Sequence, residues 1–225
     1  MRNDISALFF DLDGTLVDSA AGVAFALNAA LAEAALPRFE PATVRGWIGD
    51  GPDALILRAL QACGLRDAEL PPLAARLREH FDAVTLSTPA AQGQAFDGMA
   101  ALLSQIGEHY PMAVVTNKPT PLARAVLQGA GLLHHFAQVH GADLPAQRKP
   151  SPLLIQQAAQ RLGVRPDSVL LVGDGPADIK AAHAAGCQMA WADWGYGPVP
   201  SVLLDNAWRL SAPAELLALR PREIH

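Results

Sequence analysis

The chain has 225 residues, enough for one domain with a sizeable insertion or for two small ones. With 51% hydrophobic and 17% charged residues it can bury a core, which excludes a disordered tail, and a net charge of −5 lacks the basic face that non-specific nucleic-acid binding needs. Two cysteines, Cys63 and Cys187, make no disulfide framework, and MRNDISALFF carries neither an apolar signal core nor a small-residue cleavage site, so a cytoplasmic protein is expected.

Ile5–Phe10 is a dense apolar run ending in Asp11, the pattern of a strand buried in a parallel sheet. Asp13-Gly14 breaks it. Ala20–Leu36 then reads as a helix closed by Pro37; its alanine content, with Asn28 and Glu33 inside it, makes it a helix of a soluble protein rather than a membrane span. Pro41–Ile48, Pro52–Cys63 and Pro71–Leu86 also read as helices, with prolines at first-turn positions and no convincing strand between them. Beyond residue 88 the pattern alternates. Helices are expected at Asp97–Ile106, Pro119–Gly129, Pro152–Leu162 and Pro176–Ala185, and strands at Met112–Val115, Phe136–His140, Ser168–Val172 and Gln188–Ala192. Ala212–Leu219 reads as a closing helix. The fold class expected is α/β: a Rossmann-like parallel sheet with helices on both faces, formed by residues 1–15 and 89–225, with an all-helical domain, 16–88, inserted after the first strand.

In an open parallel sheet, ligands bind beyond the carboxyl ends of the strands. The residues falling there are Asp11 and Asp13, then Thr116-Asn117-Lys118, then Asp174 and Asp178, with Lys149 in the loop before the Pro152 helix. Taken singly, each has a plain reading. Asp174-Gly175-Pro176 suits an ordinary helix start, Asp178 a first-turn acid, Asp13-Gly14 a turn and Lys149 a solvated side chain. Together they would have to share one edge by accident. Lysine occurs only at Lys118, Lys149 and Lys180, and two of these lie at this edge. Carboxylates crowd only where a cation is present or a proton is shared, and oxygen ligands suit a hard ion such as Mg²⁺. A lysine, a threonine and backbone N–H groups beside it suit a phosphoryl group.

The run Asp11-Leu12-Asp13-Gly14-Thr15-Leu16-Val17-Asp18 is the sharpest signal; D-x-D-G-T is expected by chance about once per 10⁵ positions. It resembles the first motif of the haloacid dehalogenase (HAD) superfamily. Thr116 after Val-Val, Lys149 in Arg-Lys-Pro-Ser-Pro, and Asp174 with Asp178 in Val-Gly-Asp-Gly-Pro-Ala-Asp follow in that family's order. The resemblance implies that Asp11 is a nucleophile forming an aspartyl-phosphate and that Asp13 is the acid and base. It implies Mg²⁺ on Asp11, the Asp13 carbonyl, Asp174 and Asp178, and phosphate held by Thr116, Asn117 and Lys149. Relatives often carry serine where this chain has Gly175. An acid at Asp13 favours phosphoryl chemistry over dehalogenation, because a departing halide needs no proton.

The helical insertion matches the cap of this superfamily, which closes over the site. Thr43-Val-Arg-Gly-Trp-Ile-Gly-Asp-Gly-Pro-Asp-Ala-Leu, Val114-Val-Thr-Asn-Lys-Pro-Thr-Pro-Leu-Ala-Arg and Asp143-Leu-Pro-Ala-Gln-Arg-Lys-Pro-Ser-Pro resemble the bacterial phosphoglycolate phosphatases. The reaction implied is hydrolysis of 2-phosphoglycolate to glycolate and phosphate. Arg45, Gly49, Asp50, Gly51 and Lys118 are the candidates for contacting the carboxylate; Arg45 also reads as a solvated helix residue, and Gly49-Asp50-Gly51 as a plain turn. N-acetylmuramate 6-phosphate phosphatases and sugar-phosphate mutases share similar motifs. A receiver-like signalling module uses a similar acid cluster, but its phospho-accepting aspartate follows a later strand and it lacks an insertion; the complete set of acids argues against a catalytically dead binding protein. The partner expected is a small phosphomonoester, with no nucleic acid and no membrane, and the protein is expected to be a monomer or homodimer. His134, His135 and His140 lack zinc spacing. Trp191, Trp194 and Tyr196 read either as packing beneath the last strand or as lining the mouth of the site.

Overall fold

Strand β1 (Ala7–Phe10) is buried at every position, and its alternating side chains feed two separate cores. A computed structural model describes residues 5–65 and 70–218. β1 is the centre of a six-stranded sheet with β4 (Met112–Thr116) and β5 (Gln138–Gly141) on one side, and β6 (Val169–Gly173), β7 (Gln188–Ala192) and β8 (Trp208–Leu210) on the other. Every pairing is parallel. Leu8 and Phe10 join Val114 and Val172 against α5 (Met99–Ile106) and α6 (Thr120–Gly129). Ala7 and Phe9 join Val115 and Leu171 against α7 (Leu153–Leu162) and α8 (Pro176–Ala185). Burial on both faces is why these strands read as continuous apolar runs.

Between β1 and β4 the chain builds a third core. Helices α1 (Ala20–Glu33), α2 (Pro41–Arg45), α3 (Pro52–Ala62) and α4 (Leu70–Ser87) pack Leu27, Leu31, Ile56, Leu60, Leu77 and Phe81 together, and Leu122 of α6 completes the cluster. The chain enters this layer through β2 (Val17–Asp18) and returns through β3 (Gln94–Ala95), which pair antiparallel.

Several boundaries differ from expectation. The first helix stops at Glu33 because Pro37 disfavours helical geometry at Leu36; the chain has already turned at Ala35, whose φ is 52°. Pro41–Ile48 is helical only to Arg45, after which successive turns carry the chain through Gly49 and Gly51. The closing helix is a 3₁₀ segment, Pro213–Ala218, and Leu219 lies outside the described residues. β8 extends the sheet beyond the strand expected to be last. No helix among the described residues is long and apolar enough to cross a membrane.

Candidate active site

The strand order reverses at β1, so the loops after β1 and β6 open onto one crevice. The Asp11 N–H donates to Val172 O at 2.9 Å, which carries the ladder on to the aspartate and sets it beside the loop of Asp174. Thr116 ends β4, Lys149 lies in the loop ahead of α7, and Asp178 sits in the first turn of α8.

Asp11, Asp174 and Asp178 are buried and present oxygens within 4.8 Å of one another. A single ammonium faces them. Lys149 Nζ lies 2.8 Å from Asp11 Oδ1 and 2.5 Å from Asp178 Oδ1, and donates to Val115 O at 3.0 Å. One cation among three acids leaves the cluster short of positive charge. Burial, then the Asp178 carboxylate, push Asp11 up to about 6 despite Lys149. Burial, with Asp11 and Asp178, pushes Asp174 up to about 7. Burial pulls Lys149 the other way, but Asp11 and Asp178 outweigh it and hold the ammonium above its ordinary value. Asp11 Oδ1 is buried without a hydrogen bond, its contact with Lys149 being a close ion pair off the hydrogen-bond direction. An oxygen-only pocket with three carboxylates and one ammonium fits a hard divalent cation.

Asp174 is held from both sides. Thr15 Oγ1 donates to its Oδ1 at 2.9 Å, the Tyr196 N–H to its Oδ2 at 2.8 Å, and Trp191 Nε1 to its carbonyl at 3.2 Å. The chain passes so close that a Cβ on Gly14 would stand 2.4 Å from Asp174 Oδ2, and one on Gly195 would stand 2.2 Å from Asp174 Cβ. Gly14 also has φ +84°, so both space and backbone demand glycine there.

The Asp13 carboxylate points away from that cluster. Lys118 Nζ lies 2.8 Å from its Oδ2 and donates to its Oδ1 at 2.9 Å, and Ser19 Oγ donates to Oδ1 at 2.5 Å. Thr116 is 2% exposed, and its Oγ1 accepts the Lys118 N–H at 3.2 Å. The Asn117 carboxamide is committed to backbone groups. Its Oδ1 accepts the Lys149 N–H at 2.6 Å, while Nδ2 donates to Lys149 O at 3.2 Å and to Gly49 O at 2.9 Å. The side chain therefore fixes the lysine loop and the turn of the helical layer above it.

Of the other residues singled out, Arg45 Nη2 donates to Gly195 O at 2.8 Å, and its guanidinium lies 4.9 Å from the centre of the Tyr196 ring. Asp50 is turned to Arg58 on an exposed face, and Gly51 packs against the Asn117 carbonyl. Two cavities meet at Asp11 and Asp13. One, about 30 Å³, is lined by Lys118 and Thr116 on one side and by Val23, Ile48, Leu55 and Phe81 on the other. The other, about 410 Å³, runs past Asp174 and Asp178 to Arg45 and Tyr196. Sequence reasoning gave no role to Thr15, which lies inside the first motif, or to Ser19, which follows it. It also passed over Asp53, which pairs with Arg78 in the helical layer and with Arg148 beside Lys149. That pairing had no local signal, since 95 residues separate Asp53 and Arg148.

A parallel sheet in this order, with a buried acid cluster at its reversal point, defines an α/β enzyme whose chemistry runs at the strand ends. The model of the haloacid dehalogenase-like hydrolases matches residues 5–186, and the chain belongs to that family. It is 38% identical over 213 residues to the phosphoglycolate phosphatase of Pectobacterium atrosepticum, covering 90% of this chain and 89% of that one. The phosphoglycolate phosphatase of Rhodospirillum rubrum is 40% identical over 198 residues, covering 86% and 82% respectively. A crystal structure described as a predicted phosphoglycolate phosphatase from Haemophilus somnus superposes with a TM-score of 0.80 at 29% identity, over 96% of this chain and 98% of the other.

Proposed function

We propose that this hydrolase cleaves 2-phosphoglycolate to glycolate and phosphate through an aspartyl-phosphate on Asp11. The observation that carries the reading is the pairing of two acids with opposite surroundings. Asp11 faces Lys149 and the acid cluster, while Asp13, two residues on, faces Lys118 and the smaller chamber. Asp11 attacks phosphorus as the P–O bond to the leaving group breaks, and Asp13 gives its proton to the departing oxygen. Asp13 then takes a proton from the water that attacks the acyl phosphate, which releases phosphate and restores Asp11. Asp11, Asp174 and Asp178, with the Asp13 carbonyl, would hold Mg²⁺, which when bound offsets the charge between an anionic carboxylate and an anionic phosphate. Lys149 keeps Asp11 ionised and oriented, and Thr116 offers its hydroxyl to a non-bridging oxygen.

The chamber favours a small leaving group, since its upper wall of Val23, Ile48, Leu55 and Phe81 is apolar and offers the hydroxyls of a hexose no partners. Lys118 is the cation lining it, 7% exposed and paired with Asp13, and this reading has the same ammonium share itself with the glycolate carboxylate. The helices of residues 16–88 act as a cap that excludes water. The substrate, like the chain's composition, suits the cytoplasm. Initial rates over a panel of phosphomonoesters test this reading. Phosphoglycolate should be turned over fastest, EDTA should silence the enzyme and Mg²⁺ restore it; equal rates on sugar phosphates would defeat the assignment.

A further inference from the structure

Helix α1 begins with an unusual arrangement. The first N–H groups of a helix need acceptors, and a serine in the capping position normally supplies one. Ser19 occupies that position, but its side chain makes no capping bond; its Oγ is spent on Asp13 Oδ1 at 2.5 Å. Asp18 Oδ1 takes the Ala20 N–H only at a long 3.4 Å, and the nearer acceptor comes from 177 residues away. The Tyr196 hydroxyl accepts the N–H of Ser19 at 2.7 Å and that of Ala20 at 2.9 Å, and donates its own hydrogen to Asp18 Oδ1 at 2.9 Å.

These contacts fix the direction of every hydrogen. A phenol has one donor and two acceptor sites, and here all three are used. Its hydrogen is committed to Asp18, so it has none for Ser19 Oγ, which stands 3.5 Å away. Ser19 therefore gives its hydrogen to Asp13, a carboxylate that when ionised only accepts. The same tyrosine reaches the acid cluster through its backbone N–H to Asp174 and carries Arg45 of the helical layer over its ring. One residue thus touches the acid cluster, the entry to α1 and α2.

We propose that Tyr196 is a positioning residue: its hydroxyl caps α1 and so sets Ser19 against Asp13, aligning Asp13 to protonate the leaving oxygen. The inference rests on Asp13 being the proton donor but on no particular substrate. If it holds, the hydroxyl matters in proportion to how much the leaving group needs a proton. An alkoxide needs one to depart, whereas p-nitrophenolate leaves without much help. A tyrosine that only packed would affect both alike.

The test is Tyr196→Phe, which keeps the ring under Arg45 and the N–H to Asp174 and removes only the hydroxyl. It is read as kcat/KM, which reports leaving-group departure whatever the rate of the later hydrolysis. The expected result is a fall of about tenfold on 2-phosphoglycolate and less than about threefold on p-nitrophenyl phosphate, a fraction of what general acid catalysis supplies. The Mg²⁺ concentration for half activity should not move. Ser19→Ala, which removes the Asp13 contact and leaves the cap of α1 in place, should give the same selective loss and serves if the phenylalanine variant fails to fold. Equal losses on both esters, or no loss, overturn the inference. Asp13→Asn separates the two levels. A selective loss there with none in Tyr196→Phe and Ser19→Ala overturns the positioning role alone. No selectivity in Asp13→Asn overturns the acid role of Asp13, and the inference with it.

Discussion

Lys149 stands between Asp11 and Asp178 with its side chain 1% exposed, so removing it leaves two buried like charges facing one another. Lys149→Met should cost about 3–5 kcal/mol of stability in metal-free buffer, the usual penalty for breaking a buried pair, read from urea unfolding. Asp11→Asn should instead leave the fold intact and lower turnover by at least about 10³-fold, because a carboxamide cannot take up the phosphoryl group as the Asp11 carboxylate is proposed to. Intact secondary structure by circular dichroism with lost phosphate release is the expected pair of results. The individual acids were legible because the first motif packs Asp11, Asp13 and Gly14 into one short run. What that run did not disclose is direction. Only the fold turns Asp11 towards Lys149 and Asp13 towards Lys118, and only the fold commits Asn117 to the backbone of Lys149.

The central strand owes its function to being buried on both faces. Phe9 is fully buried between β1 and the α7–α8 face, and Phe9→Ala should cost about 3–5 kcal/mol by creating a cavity, measured by thermal or urea unfolding. The turn after β7 is as constrained as the strand. A methyl group on Gly195 would collide with Asp174, so Gly195→Ala should weaken activation by divalent cation while changing the secondary structure little, measured as a rise in the Mg²⁺ concentration for half activity. At this scale the long, regular elements could be read from the chain: Pro176–Ala185 and Gln188–Ala192 have the expected limits, the helix because Gly186 stops it and the strand because its apolar run ends at Asp193. The two-residue strands β2 and β3 could not, since so short a pair has no period and exists only because the 75 intervening residues fold back. Trp208–Leu210 joined the sheet through pairing with β7, which no local pattern announces.

Across the whole molecule the acid cluster opposes folding unless a cation balances it. Asp11 and Asp174 hold protons more tightly in the folded chain than their ordinary value of 3.8, reaching about 6 and about 7. A group whose folded value is raised stabilises the fold below its unfolded value and loses that contribution as pH climbs through the folded one. In EDTA the melting temperature should therefore fall as pH rises from about 4 to about 7, and Mg²⁺ should flatten the curve by favouring the ionised acids. A metal-free melting temperature that rises steadily over that range would contradict the charge balance described. The way the helical layer is attached has a further consequence. Its two connections are hydrogen-bonded to one another, Val17 beside Ala95 and Asp18 beside Gln94, so they behave as a single strip rather than two independent tethers. Such a strip flexes readily across its width but resists sliding along its length, so the entrance would swing open about one axis, like a box lid on a strip of leather.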